Sequence, residues 1–294
     1  MQLSFNPKIN EMINRKLPAI FFAIALIACT NLQAQFGGIK VNTKSIGAIK
    51  KGVAAAVYSD ADASRDAAEG VKYMDAHNTV AGPKDKYTIR LNKIFGQHKN
   101  EDGLVLNYKV YKVVDINAFA CADGSVRVFS SLMDILTDNE LLAIIGHEIG
   151  HVHNHDSRDA MKAALTRAAL TDAATSQSGA VAVLNDTQLG AIAEAMMDSK
   201  HSRKQESGAD DYSYAFMKKH NYNITGGYTA FMKFIKMEGE ATTQSKFAKM
   251  MNSHPDSKKR AEEIKIKATK DGIWKEPVAE VPVVAAPAKK KKGK

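Results

Sequence analysis

The sequence predicts an α+β fold in which a small β-sheet packs on a helical majority. Three observations lead there. Residues 104–129 hold short runs rich in β-branched and aromatic side chains, with a turn signal between them. Most of the remaining chain carries apolar residues at helical spacing. The composition is that of a globular protein, with 45% hydrophobic and 25% charged residues and seven prolines in 294 positions. This excludes a collagen, a disordered chain and a disulfide-stapled mini-protein. No stretch reaches the roughly 18–20 apolar residues that a spanning helix needs, which excludes a polytopic membrane protein.

The elements follow in order. Arg15 and Lys16 precede an apolar run from Leu17 to Cys29, short for a span and right for the core of an export signal. Two processing routes stand. Cleavage after Ala34 would leave Gln35 at the mature N-terminus. Alternatively, Leu26-Ile27-Ala28-Cys29 serves as a lipobox and Cys29 is acylated. The small Ala34 favours the first. Residues 1–34 are therefore read as a signal, 35–276 as the folded domain and 277–294 as a disordered tail. Residues 40–78 are Ala-rich and read as one or two helices, broken by Gly82-Pro83. Tyr87, Leu91, Ile94 and Phe95 predict an amphipathic helix over 84–97. Strands follow at 104–113, 116–121 and 125–129, with Ala122-Asp123-Gly124 as a turn. From there the pattern is helical almost to Trp274. Within it, Met161, Leu165, Leu184, Leu189, Ile192 and Met196 read as core positions. So do Tyr212, Tyr214, Phe216, Tyr228, Phe231 and Phe234.

The net charge of +9 has to be located before it is read. The last six residues carry five lysines, and the first 34 residues a net +2. The part between them is close to neutral and has no basic helix, so nucleic acid is not an expected partner. If Cys29 is removed or acylated, Cys121 is left alone and no intrachain disulfide forms.

Nine histidines are present, four of them between 147 and 155. His147-Glu148-Ile149-Gly150-His151 is an HExxH pattern. On a helix, residues four apart share one face, so two imidazoles can converge on one metal ion. Glu148 then lies beside the ion, placed to accept a proton from water there and pass it on. Thr137-Asp138-Asn139-Glu140 is a capping box that starts such a helix. Leu141, Leu142, Ile144, Ile145, Ile149 and Val152 give it buried faces. A catalytic zinc site wants three protein ligands and an open position. A third His six residues past His151 would serve, but Ser157 stands there. His153 and His155 read as polar residues at the helix end. Glu206 and Asp210, four apart downstream, offer a third ligand and a carboxylate to orient a ligating imidazole. Spacing alone leaves them equally readable as a solvated face.

Four segments together resemble the HtpX/BepA-type gluzincin zinc metallopeptidases, in particular small exported bacterial members. They are Asn117-Ala118-Phe119-Ala120 with Gly124-Ser125-Val126, Glu140–Ala143 leading into His147–His151, Ser202–Glu206 with Ala209-Asp210, and Ser253-His254-Pro255 with Arg260-Ala261 and Ile264. The resemblance covers about residues 84–268. It implies a mostly helical zincin-like domain whose small sheet carries a substrate-binding edge strand at Asn117–Ala120. It implies one Zn²⁺ on His147, His151 and Glu206, Glu148 as general base, and Asp210 behind a ligand. It places His254 near the metal, either at the open position, at the oxyanion or as a turn residue. Arg203 either pairs with a carboxylate or steadies the oxyanion. Gly208 replaces a residue that is often charged in relatives, at a cost of about 1 kcal/mol in helix propensity.

The expected function is a zinc-dependent endopeptidase of the bacterial periplasm or cell envelope, acting on envelope or misfolded polypeptides. Membrane attachment would come only through a lipid on Cys29. The alternatives are a chaperone-like binding protein with a structural zinc, and an anchored component whose lysine tail matters most.

Overall fold

The computed structural model describes residues 58–172, 186–198, 200–238, 247 and 250–277. The expected signal, Cys29 and nearly all of the tail lie outside them, as do the side chains of Leu165 and Leu184. Among the described residues, no helix is long and apolar enough to cross a membrane.

Among the described residues, the first helix, α1 (Asp60–His77), opens with a capping box between Ser59 and Asp62. Helix α2 (Lys86–Phe95) starts at Asp85, whose carboxylate accepts from Tyr87 N–H. The strand expected over 104–113 is two strands. β2 (Leu104–Val105) turns back antiparallel on β1 (Asn100–Glu101), and β3 (Asn107–Tyr111) enters the main sheet. The second expected strand shortens to β4 (Ala118–Ala120), and the third is β5 (Ser125–Phe129) as expected. The sheet order is β3-β5-β4, with β5 parallel to β3 and antiparallel to β4, so β4 is an edge.

Alternation along the strands divides the core between two faces. Ala118, Ala120, Val126, Val128 and Val110 belong to the larger apolar cluster. Phe119, Tyr111 and Phe129 belong to the smaller one with Met74 of α1. Arg127 also points to that second side and is 2% exposed. Its guanidinium forks onto Asp75 of α1 at 2.8 and 2.9 Å, and Tyr111 donates to the same carboxylate at 2.7 Å. This network ties α1 to the sheet and holds the Asp75 carboxyl down at about 2. Burial opposes that shift, but the hydrogen bonds from Arg127, Lys109 and Tyr111 outweigh it.

Short α3 (Ser130–Ile135) leads into α4 (Asp138–His153), buried from Glu140 to Val152. The capping box forms as expected: Thr137 Oγ1 accepts from Glu140 N–H, and Glu140 Oε2 accepts from Thr137 N–H at 2.7 Å. Then come α5 (Asp156–Asp172), α6 (Asp186–Asp198), α7 (Arg203–Lys219), α8 (Thr225–Glu238) and α9 (Ser257–Lys270). Helix α4 is the centre, packed against β4 and α7, while α8 and α9 close its other flank. Phe216, Phe231 and Phe234 are buried in the larger cluster, and Tyr212, Tyr214 and Tyr228 pack half-buried against it.

The approach of α7 to α4 depends on a residue inside the HExxH pattern. A Cβ on Gly150 would stand 3.0 Å from Ala209 Cα and 3.0 Å from Ala209 O. Both are backbone atoms that cannot swing aside. Gly150 therefore sets how near the helix bearing Glu206 comes to the two histidines. Gly208 has a milder reason, since a Cβ there would press on the Asn154 side-chain amide at 3.1 Å.

Candidate metal and catalytic site

The one-turn spacing on α4 brings His147 and His151 together, with their Nε2 atoms 3.0 Å apart. Helix α7 faces them. Glu206 Oε1 lies 3.3 Å from His151 Nε2, and Glu206 Oε2 lies 3.5 Å from His147 Nε2. His254, just before α9, adds Nδ1 at 3.3 Å from His147 Nε2 and 3.1 Å from Glu206 Oε1. These four side chains are buried and form a group able to hold a metal ion. Glu148 is also buried, with Oε1 at 3.7 Å from His254 Nε2.

Carboxylates hold the far side of each α4 imidazole. His151 Nδ1 is 2.9 Å from Asp156 Oδ2, and His147 Nδ1 is 2.9 Å from Asp210 Oδ1. Arg260 Nη2 also lies 2.9 Å from His147 Nδ1, but a guanidinium cannot donate to a nitrogen that carries its own proton. We assign the Nδ1 proton to the His147–Asp210 bond, and Arg260 donates to Asp210 instead, at 2.6 and 2.8 Å. Both Nε2 lone pairs are then turned toward Glu206, the arrangement that a second layer of carboxylates imposes on metal-binding histidines.

In the field of the protein groups alone, the two imidazoles diverge. Burial and the nearby Arg260 hold His147 down at about 3. Burial works against charge on His151 as well, but Asp156 and Glu206 outweigh it and raise it to about 9. Glu148 is pushed up, mainly by burial. Glu206 is buried too, yet His151 and His254 hold it far below the usual carboxylate range. Asp210 is held low despite its burial, first by Arg260 and then by His147.

Three residues at this site have no role in the sequence reading, although Arg260 belongs to a segment that carries the resemblance. Arg260 spans Asp210 and Glu206, reaching Glu206 Oε2 at 2.8 Å, and stacks on the Phe231 ring at 4.2 Å. His201 lies flat on His151, with ring centroids 3.7 Å apart. Asp156 opens α5 directly after the exposed His153 and His155, which lie outside the cluster. Arg203 lies at the surface, with its side chain 83% exposed and paired with Asp256 at 3.2 Å. The buried arginine of the site is Arg260.

A cleft beside β4 is lined by Ala118–Cys121, by Glu148, His151, His201 and His254, and by Met161, Met196 and Met197. Asn117, just ahead of the strand, donates its side-chain amide to Met197 O at 3.4 Å.

An HExxH helix that meets a glutamate from a second helix, beside an edge strand, is the arrangement of a gluzincin metallopeptidase. Comparison with known proteins agrees. The family model described as Peptidase family M48 matches residues 97–268. The chain is 42% identical over 212 residues to Metalloprotease YcaL of Escherichia coli (strain K12), covering 72% of this chain and 82% of that protein. It is 38% identical over 216 residues to Metalloprotease LoiP of the same organism, covering 73% and 84%. The chain belongs to peptidase family M48 and is a metal-dependent endopeptidase.

Proposed function

We propose that the ion of this peptidase is Zn²⁺ held by His147, His151 and Glu206, and that Glu148 is the general base. The convergence of the two Nε2 atoms and the Glu206 carboxylate carries the reading. Ligands about 2.0–2.1 Å from a tetrahedral ion stand about 3.3 Å apart. The atoms here are separated by 3.0, 3.3 and 3.5 Å. Two neutral imidazoles and one carboxylate suit zinc and leave a position for substrate.

Zn²⁺ bound there supplies Lewis acidity toward a scissile carbonyl and makes water acidic near neutral pH. Glu148 takes a proton from the attacking water and later delivers it to the departing amine. The upward push that burial exerts on its carboxyl suits it to both transfers. Asp210 and Asp156 keep the imidazoles turned with Nε2 inward. The edge of β4 offers main-chain hydrogen bonds to an extended peptide, and the cleft beside it takes alternate side chains. A second reading concerns His254. Its Nδ1 lies within 3.3 Å of two ligand atoms, as a fourth ligand would, which favours a latent centre that opens when His254 withdraws.

The short apolar run after Arg15-Lys16 supports export, with the periplasm or envelope as location and envelope or misfolded polypeptides as substrates. Attachment to a membrane would require acylation of Cys29. Glu148→Gln tests the mechanism: casein cleavage should fall by at least about 10²-fold while bound zinc stays at the wild-type level. Undiminished cleavage in a clean preparation refutes the assignment.

A further inference from the structure

We propose that the chain holds a second divalent metal ion, separate from the peptidase centre, on His98, Glu101 and His220. His98 and Glu101 are 1% and 3% exposed. They stand where α2 ends and β1 begins, and His220 caps the C-terminal end of α7. His98 Nδ1 lies 2.7 Å from Glu101 Oε1, and His220 Nε2 lies 3.0 Å from the same oxygen. The two imidazoles meet edge-on, with ring centroids 4.4 Å apart. One ligand atom from each of the three residues falls within 4.8 Å of the others.

A plain hydrogen-bond network accounts for only part of this. His98 is satisfied on both ring nitrogens, since Tyr222 Oη stands 2.6 Å from its Nε2. His220 is not. Its Nε2 is buried, and its one polar contact among the described residues is the 3.0 Å approach to Glu101 Oε1, an ion-pair separation rather than a well-formed hydrogen bond. A buried polar atom without a partner costs free energy unless something else satisfies it. A metal ion satisfies it by taking the lone pair. The surroundings also have the outer partners that metal ligands use: Tyr222 on the far nitrogen of His98, and Lys219 Nζ at 2.9 Å from Glu101 Oε2. The separations around Oε1 are somewhat shorter than the edges of a tetrahedral site, so an ion would spread them. His220 can give, since its side chain is 24% exposed at a helix end. Two imidazoles and a carboxylate select a borderline ion such as Zn²⁺.

Such an ion would pin the end of α7 opposite Glu206 and Asp210 to the β1–β2 hairpin. It would hold the ligand-bearing helix without touching the reaction. The test is zinc content of the full chain after dialysis near neutral pH, read by elemental analysis, with casein cleavage in parallel. Wild type should retain two zinc ions. His220→Gln and Glu101→Gln should each retain one and keep cleavage, with a smaller zinc-induced rise in melting temperature. Glu206→Ala should also retain one and lose cleavage. A single zinc that disappears in Glu206→Ala and persists in His220→Gln overturns the second site and leaves the peptidase centre standing. A zinc that persists in Glu206→Ala and disappears in His220→Gln supports the second site while refuting the Glu206 assignment. Circular dichroism of each variant separates loss of metal from loss of fold, and the near-isosteric Glu101→Gln covers the case in which His220→Gln unfolds.

Discussion

Arg260→Met separates the roles of charge and packing at the centre. The substitution keeps an apolar stem against Phe231 and removes the guanidinium. In the native protein that group is 5% exposed and spans two buried carboxylates, Asp210 at 2.6 and 2.8 Å and Glu206 at 2.8 Å. Removing one side of such a network leaves buried charge without compensation, a loss of about 3–5 kcal/mol. For a domain of this size each kcal/mol is worth about 2–4 °C, so the chelator-treated variant should melt roughly 6–20 °C below wild type. With zinc bound, the ion neutralises Glu206 in place of the guanidinium, and the gap should narrow clearly. Scanning calorimetry of both proteins, with EDTA and with zinc, measures the difference. A loss below about 2 °C in EDTA, or equal losses in both conditions, would show that Arg260 does not carry this charge balance.

Other perturbations probe the frame around the centre. Asp156→Asn weakens the carboxylate behind His151 Nδ1, and zinc affinity should drop about 10–100-fold in a competition titration; unchanged affinity would remove Asp156 from the site. Gly150→Ala sets two effects of opposite sign against each other. Helix propensity favours alanine by about 1 kcal/mol, but a Cβ 3.0 Å from the Ala209 backbone forces α7 outward at about 1–3 kcal/mol. Cleavage should fall several-fold and the melting temperature should not rise; a variant stabilised by 2 °C or more with full activity refutes the close-approach argument. Asp75 gives the pH dependence. Its folded carboxyl sits at about 2, below the unfolded value, so its contribution is complete above about pH 4 and fades as pH falls toward 2. At most about 2 kcal/mol is involved. Asp75→Asn should flatten that acid limb in urea titrations between pH 4 and 2, and an unaltered slope would discount the Arg127 pair.

Much of the site was legible because its signals are local. The HExxH spacing and the Thr137–Glu140 box need only one helix to be meaningful, and both appear as the pattern implied. Glu206 and Asp210 needed the family resemblance, since a Glu and an Asp one turn apart look the same on a solvated face. Arg260 entered the reading only as part of a resembling segment, without a role. It stands between exposed Lys259 and buried Ala261 in a lysine- and glutamate-rich helix, and its meaning comes from crossing to α7. A faint signal existed: Arg260 shares the apolar stripe of Ala261, Ile264 and Ala268, where a solvated arginine does not belong. His201 lies outside any periodic segment and shows its role only when stacked on His151. The strand over 104–113 was misjudged for a related reason. Composition marked the whole run as extended, but it cannot show that one part pairs locally with β1 and the next joins β5.

Charge at the centre explains why this arrangement calls for a divalent cation. Glu148, Asp156, Glu206 and Asp210 are all buried, and Arg260 is the one buried guanidinium among them. With both imidazoles neutral, as ligands of a bound ion, four carboxylates against one guanidinium leave a formal −3, whereas without the ion the proton that His151 is raised to hold makes this −2. Buried charge left without compensation costs several kcal/mol per ion, so a bound cation stabilises this cluster. Asp210 and Glu206 share the one Arg260 guanidinium, and Asp156 is paired with the His151 ring. The excess charge is left on Glu206 and Glu148, which face the converging Nε2 atoms and His254. A divalent ion at the Nε2 atoms cancels two of those three charges, and the one left is the buried Glu148 carboxylate beside the ion, whose burial favours taking up a proton. The residue left able to trade a proton is then the one beside the ion, and the same imbalance accounts for both the metal and the base.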